Sequence, residues 1–191
     1  MDFTLNPEQE LIRRTAREFC DREIAPHARA WDRAEEIDRG IVAKLAEVGF
    51  LAAALPDEVG GMGLDTTSYA LVVEEIGRAD SSVRGIASVS NGLYGKTVAK
   101  WGSEEQRRSL LPALASGEAL GCYALTEPGV GSDPGSLETR ADRDGDGWAI
   151  SGQKIFITLG TRLERAGIRA DAGLGERIAP ERLAARERGE E

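Results

Sequence analysis

Five short stretches of the chain carry residue types that could do chemistry. The first runs Glu127-Pro-Gly-Val-Gly-Ser-Asp-Pro-Gly135. Its glycines would let backbone N–H groups approach an anion. It is, however, neither a GxxxxGK[ST] loop nor a GxGxxG opening a helix, and Val130 stands where a nucleophile elbow needs its first Gly. By pattern alone it is a surface loop. The second stretch is "KIFIT" at 154–158, where strand alternation puts Ile155 and Ile157 on one face and Phe156 and Thr158 on the other. One face suits a core. The other sets an aromatic plane beside a hydroxyl, which fits a flat, polar-edged ligand; an ordinary half-buried strand explains the same residues.

The remaining three stretches point away from metal or triad chemistry. Asp142, Asp144, Asp146 and Gly147 match the first half of an EF-hand loop, but the twelfth position is Gln153, which cannot supply a bidentate carboxylate. A tight Asp-Gly hairpin accounts for them better. The single histidine, His27, cannot build a zinc site alone, and in "EIAPHARAW" it reads as a solvated bystander at a helix end. Cys20 and Cys122 are far apart and in no CxxC spacing, which argues against a thiol-rich metal site or a disulfide scaffold.

Composition narrows the classes further. A chain of 191 residues with 41% hydrophobic and 30% charged residues is soluble and globular, with room for one domain or two small ones. The net charge of −9 argues against nucleic acid as a partner. No window approaches the roughly 20 apolar residues of a membrane span. "MDFTLNPEQE" lacks the basic and apolar regions of a secretory signal, so the expected location is cytoplasmic.

The elements that must position these residues change period partway along. Asn6 as N-cap, Pro7 at the first helical position and Gln9 in a capping box open a first helix carrying Leu11, Ile12, Phe19 and Ile24, with Pro26 near its end. A second helix is expected from Arg39 to Val48, with Ile41, Val42 and Leu45 inward and Gly49 as its stop. "LPDEVGGMGLD" breaks the helical pattern. Tyr69, Val72, Val73 and Ile76 then mark one face of a third helix. A fourth is expected from Ser81 or Ser82 to Trp101, and a fifth opens with the capping box Ser103–Gln106. From Gly121 the period becomes 2: "CYALTE", "LETRAD" and "WAISGQKIFIT" read as strands, with a hairpin turn at "RDGDG". The fold class is therefore α+β, an N-terminal all-α helical bundle followed by the opening strands of a truncated β-barrel-like domain. The expected domains are 1–120, 121–161 and a tail, 162–191.

Together "EIAP", "LPDEVGGMGLD", "LPALASGEALGCYALTEPGVGSD" and "GQKIFIT" resemble the acyl-CoA dehydrogenase family, almost colinearly from Phe3 to Thr161. The resemblance implies an N-terminal helical domain, a middle β domain and a C-terminal four-helix domain. It implies FAD as cofactor, an acyl-CoA thioester oxidised to the α,β-enoyl-CoA, and an electron-transfer flavoprotein-type acceptor. A carboxylate takes the α-proton while the β-hydrogen leaves as hydride to the flavin. Carried over residue by residue, it places Tyr123, Leu125 and Thr126 along the isoalloxazine, with Thr126 hydrogen-bonding the ring. Gly131 and Ser132 would sit where flavin and acyl-CoA meet, Phe156 would cover the flavin, and Thr158 would bond near its reactive edge. No residue of this chain takes the role of the catalytic carboxylate, which the family carries in its C-terminal domain. Family members usually form homo-oligomers, dimers of dimers.

After Thr161 the resemblance stops. Of the 30 residues 162–191, 23 are Arg, Ala, Gly or Glu, and seven Arg balance seven acidic residues, so the whole −9 belongs to residues 1–161. With 20 Arg against 4 Lys in the chain, an out-of-frame or truncated ending of a GC-rich gene is expected, and with it a chain inactive alone. The alternative is a non-catalytic helical interaction module that pairs with a full-length paralogue.

Overall fold

A computed structural model of the chain describes residues 4–144 and 147–158. It divides into two units, Met1–Cys122 and Tyr123–Glu191. The tail lies outside the described residues.

The first unit is helical. α1 (Pro7–Glu23) opens with the full capping box: the Asn6 side chain accepts the Gln9 N–H at 2.9 Å and Gln9 accepts the Asn6 N–H at 3.2 Å. Two otherwise orphaned donors are thereby satisfied. α2 (Ala25–Ala34) follows after Ile24 alone. Here the expectation for Pro26 is corrected: Pro26 stands in the first turn of α2, where its missing N–H costs nothing. Ile24 at the joint is fully buried.

α3 (Gly40–Glu47) buries Ile41 and Leu45, and Gly49 at φ +77° turns the chain out of it. The segment after it is a loop with a single 3-10 turn, Asp57–Val59, yet Phe50, Leu51, Ala52, Ala53 and Leu55 are all buried. Phe50 meets Phe19 of α1 edge to face, with centroids 5.5 Å apart. A side chain at Gly61 would lie 2.1 Å from the Leu55 carbonyl oxygen, so only Gly fits this return of the chain.

α4 (Thr66–Ala79) is capped by Asp65 and buries Ser68, Leu71, Val72, Glu75 and Ile76. Its inward stripe is thus turned relative to the expected one, and Tyr69 and Val73 are only half-buried. The cause is Glu75, a carboxylate at 1% exposure that faces inward because Arg17 of α1 and Arg78 meet it. The expected fourth helix is three pieces: α5 (Ser81–Ser88), a π-helical segment Val89–Gly95, and α6 (Lys96–Trp101). It starts at Ser81, as expected, and Asp80 caps it. The π segment buries Asn91 completely, and Asn91 ties back to the post-α3 loop by accepting from Ala54 N–H and donating to Phe50 O. α7 (Glu104–Ala115) opens with the expected Ser103–Gln106 box. Its Leu111, Leu114 and Ala115 pack on Ala52 and Leu55.

The described residues of the second unit are mostly loop around one hairpin. β1 (Arg140–Asp144) and β2 (Gly147–Ser151) pair antiparallel, from Arg140 opposite Ser151 to Asp144 opposite Gly147. The turn expected at "RDGDG" falls in part on residues 145 and 146, which lie outside the described residues. The strands expected at "CYALTE" and "KIFIT" do not form among the described residues. Phe156 sits at φ +56°, outside any strand conformation, and one backbone bond, Ile155 N–H to Thr126 O at 2.9 Å, stands in place of a ladder.

Candidate functional site

All seven residues singled out from the sequence lie in the second unit, and Glu127 organises the ones between Leu125 and Phe156. Glu127 and Val130 exchange both backbone hydrogen bonds at 3.1 Å, closing a tight turn over Pro128 and Gly129. Gly131 and Ser132 follow that turn directly and are exposed, and nothing lies within 4 Å of where a Gly131 side chain would begin. Asp133 then accepts the Gly135 N–H and the Ser136 hydroxyl, shaping a 3-10 turn at Pro134–Ser136.

The Glu127 carboxylate itself is buried, at 5% exposure. It accepts the N–H groups of Glu138 at 2.7 Å and Thr139 at 3.0 Å, on the approach to β1. The Lys154 ammonium, past β2, donates to it at 2.8 Å and to the Leu125 carbonyl at 3.0 Å. The Lys154 ammonium, then Thr139 and the Glu138 N–H hold the carboxyl down to about 2. Glu127 is thus an anion throughout the ordinary pH range, neutralised within hydrogen-bonding distance. Gly152 makes room for this arrangement, since a side chain there would lie 2.3 Å from Thr139 Oγ1.

The described contacts bring two of the sequence-singled segments together. Leu125, Thr126 and Glu127 are bonded to Lys154 and Ile155, and Phe156 is the next residue along. Phe156 is 90% exposed and Tyr123 47% exposed, so both aromatic faces are open; Leu125 and Thr126 are half-buried. The alternation read from "KIFIT" survives without a strand: Ile155 and Ile157 are half-buried while Phe156 and Thr158 are exposed. No described contact joins Tyr123 or Thr158 to the others. The sequence reading missed the ion pair. Its signal was present, an acidic and a basic residue each inside one of the two most distinctive motifs, but spacing alone does not say that residues 27 apart meet.

The profile of the acyl-CoA dehydrogenase N-terminal domain matches residues 6–118, and that of the middle domain matches 122–179. The chain belongs to the acyl-CoA dehydrogenase family. The second match continues past Thr161, into residues outside those described. The chain is 41% identical over 158 residues to the probable acyl-CoA dehydrogenase YngJ of Bacillus subtilis (strain 168), covering 83% of this chain and 42% of that one. It superposes with a TM-score of 0.80 and 38% identity on a chain from the electron transferring flavoprotein structure of Acidaminococcus fermentans, covering 85% of this chain and 43% of that one. Against Mycobacterium smegmatis glutaryl-CoA dehydrogenase in complex with FADH2 the TM-score is 0.77 at 35% identity, over 80% and 39% of the two chains. The chain thus spans about two fifths of the length of the acyl-CoA dehydrogenases it matches. A mostly helical unit followed by a short two-stranded sheet is the α+β arrangement expected for the family's N-terminal domain and the start of its middle domain.

Among the described residues no helix is long and apolar enough to cross a membrane. Cys20 is buried in the helical unit, and burial pushes its thiol up to about 12, which makes it inert as a nucleophile at neutral pH.

Proposed function

We propose that this chain forms the N-terminal and opening middle-domain part of an FAD-dependent acyl-CoA dehydrogenase, with residues 123–158 contributing to the flavin and acyl-CoA site. The observation that carries this reading is the tie between the 125–127 and 154–155 segments, which leaves aromatic faces and hydroxyls open to solvent around a rigid centre. Exposed aromatics are costly to leave wet and suit a planar ring system.

The residues fit a flavin by chemistry. Phe156 and Tyr123 offer faces for stacking and for excluding water. Thr126 and Thr158 offer hydroxyl donors to polar ring edges. Gly131 lets the backbone approach closely, and Ser132 beside it lies where the cofactor and the thioester part of acyl-CoA would both reach. Bound FAD supplies the hydride acceptor for α,β-dehydrogenation of an acyl-CoA thioester. No described residue is assigned the proton-abstracting carboxylate. The likeness to the Acidaminococcus fermentans structure supports an electron-transfer flavoprotein-type acceptor as partner.

Flavin retention is therefore the proper readout, ahead of turnover. The 191-residue chain is incubated with excess FAD, desalted, and its visible spectrum recorded. Retained flavin absorbance, lost in Phe156→Ala, is the expected result. A folded chain that stays colourless would sink the flavin reading and favour a non-catalytic helical module.

A further inference from the structure

We infer that Glu127 and Lys154 are positioning residues of the flavin site, a partly buried ionic clamp that fixes the loop carrying Gly131 and Ser132 against the segment carrying Phe156. This rests on the reading of residues 123–158 as a flavin site. Lys154 holds Leu125 O and the Glu127 carboxylate at once, Ile155 holds Thr126 O, and Glu127 holds both Val130 and the start of β1. Thr126 is therefore gripped on both sides, Phe156 is one residue beyond the grip, and Gly131 and Ser132 are one and two residues beyond the Val130 bridge. The two side chains thus join the Leu125–Glu127 segment to Lys154 and to the approach to β1, and two sets of backbone bonds, Glu127 with Val130 and Ile155 with Thr126, extend that tie to the proposed ligand-facing groups.

The energetics point the same way. A buried ion pair is a weak source of stability, because desolvating two charges offsets most of their attraction; its best-attested use is to specify one geometry. Here the pair is well satisfied, with four hydrogen bonds shared between one carboxylate, one ammonium and three backbone groups. Around it the backbone is otherwise poorly pinned. The segments 122–127 and 154–158 have no ladder, and Phe156 is held at φ +56°, a conformation that a non-glycine residue keeps only when its surroundings impose it. Apart from the clamp, only the single Ile155 N–H to Thr126 O bond holds Phe156 near Thr126.

The test uses the full chain and the variants Glu127→Gln, Lys154→Met and Lys154→Arg. Three properties are followed: FAD dissociation constant, the band shape of the bound flavin, and hydrogen exchange at the Glu138, Thr139 and Ile155 amides without flavin. Glu127→Gln and Lys154→Met are expected to weaken FAD binding about tenfold or more, the effect of losing one charge-assisted bond. They should also alter the bound-flavin band and speed exchange at those amides, while Lys154→Arg recovers most of the affinity. If the unaltered chain binds FAD and Glu127→Gln and Lys154→Met bind it within twofold with an unchanged band, the positioning role is wrong, whatever happens to exchange or melting. If the unaltered chain binds no FAD, the flavin reading itself fails and takes this inference with it.

Discussion

Phe156 concentrates the chemistry and the strain at one residue. Its ring is 90% exposed and its backbone is left-handed, which for a non-glycine residue costs about 1 kcal/mol. Phe156→Gly removes ring and strain together, and the two consequences run in opposite directions. Denaturant unfolding of the second unit should be unchanged or shifted up by at most about 1 kcal/mol, while FAD retention falls. A parallel loss of stability and flavin would mean that the ring packs on protein and has no part in the cofactor site. The sequence revealed Phe156 through alternation and family resemblance, but its backbone conformation was hidden. Alternation in exposure is shared by strands and by extended loops. What separates them is the ladder partner, and here one backbone bond, Ile155 N–H to Thr126 O, and the Lys154 side chain take that place.

At the scale of elements, the joint between α1 and α4 is polar where the helical pattern called for an apolar stripe. Glu75 accepts a fork from Arg17, at 3.1 Å from Nε and 2.7 Å from Nη2, and a bond from Arg78 at 2.8 Å; Arg78 also reaches Asp21 at 2.5 Å. Burial alone would push the Glu75 carboxyl up, but the two guanidinium groups outweigh it and hold it below the usual range. Glu75→Leu is expected to cost about 2 to 3 kcal/mol in urea unfolding, since it strands two arginines; the loss stays below that of a fully buried pair because both are about half exposed. A gain in stability would show that the network serves no purpose in joining the helices. Ser103→Ala at the start of α7 should cost about 1 kcal/mol by the same measurement. The contrast explains what was legible. Capping boxes at Asn6 and Ser103 are local and could be read directly. The inward turn of Glu75 and the π segment around Asn91 depend on partners 58 and 37–41 residues away, which no local period encodes.

At the scale of the whole molecule, the lowered carboxylates make acid the decisive variable. Glu127 is held to about 2 by Lys154, Thr139 and Glu138; Glu23 is lowered by Lys44 and Arg22, Asp65 chiefly by the Ser68 N–H, and Glu75 by its two arginines against its burial. Each has a folded pKa below its unfolded one, near 4.5 for Glu and 3.8 for Asp. Their contribution is therefore present in full above those values and lost as pH falls through the folded ones. Stability should be flat from neutral pH to about 5 and then drop steeply between pH 4.5 and about 2. Because Glu127 lies in the second unit and the other three in the first, the two losses can be told apart. Far-ultraviolet circular dichroism follows the helices, and exchange at the Glu138 and Thr139 amides follows the clamp. Glu127→Gln should remove most of the acid dependence of amide protection in the second unit and leave the helical transition where it was. If instead protection at those amides fell with the same pH profile in the variant, the carboxylate that matters there would be another, and the ion pair to Lys154 would not be what acid breaks.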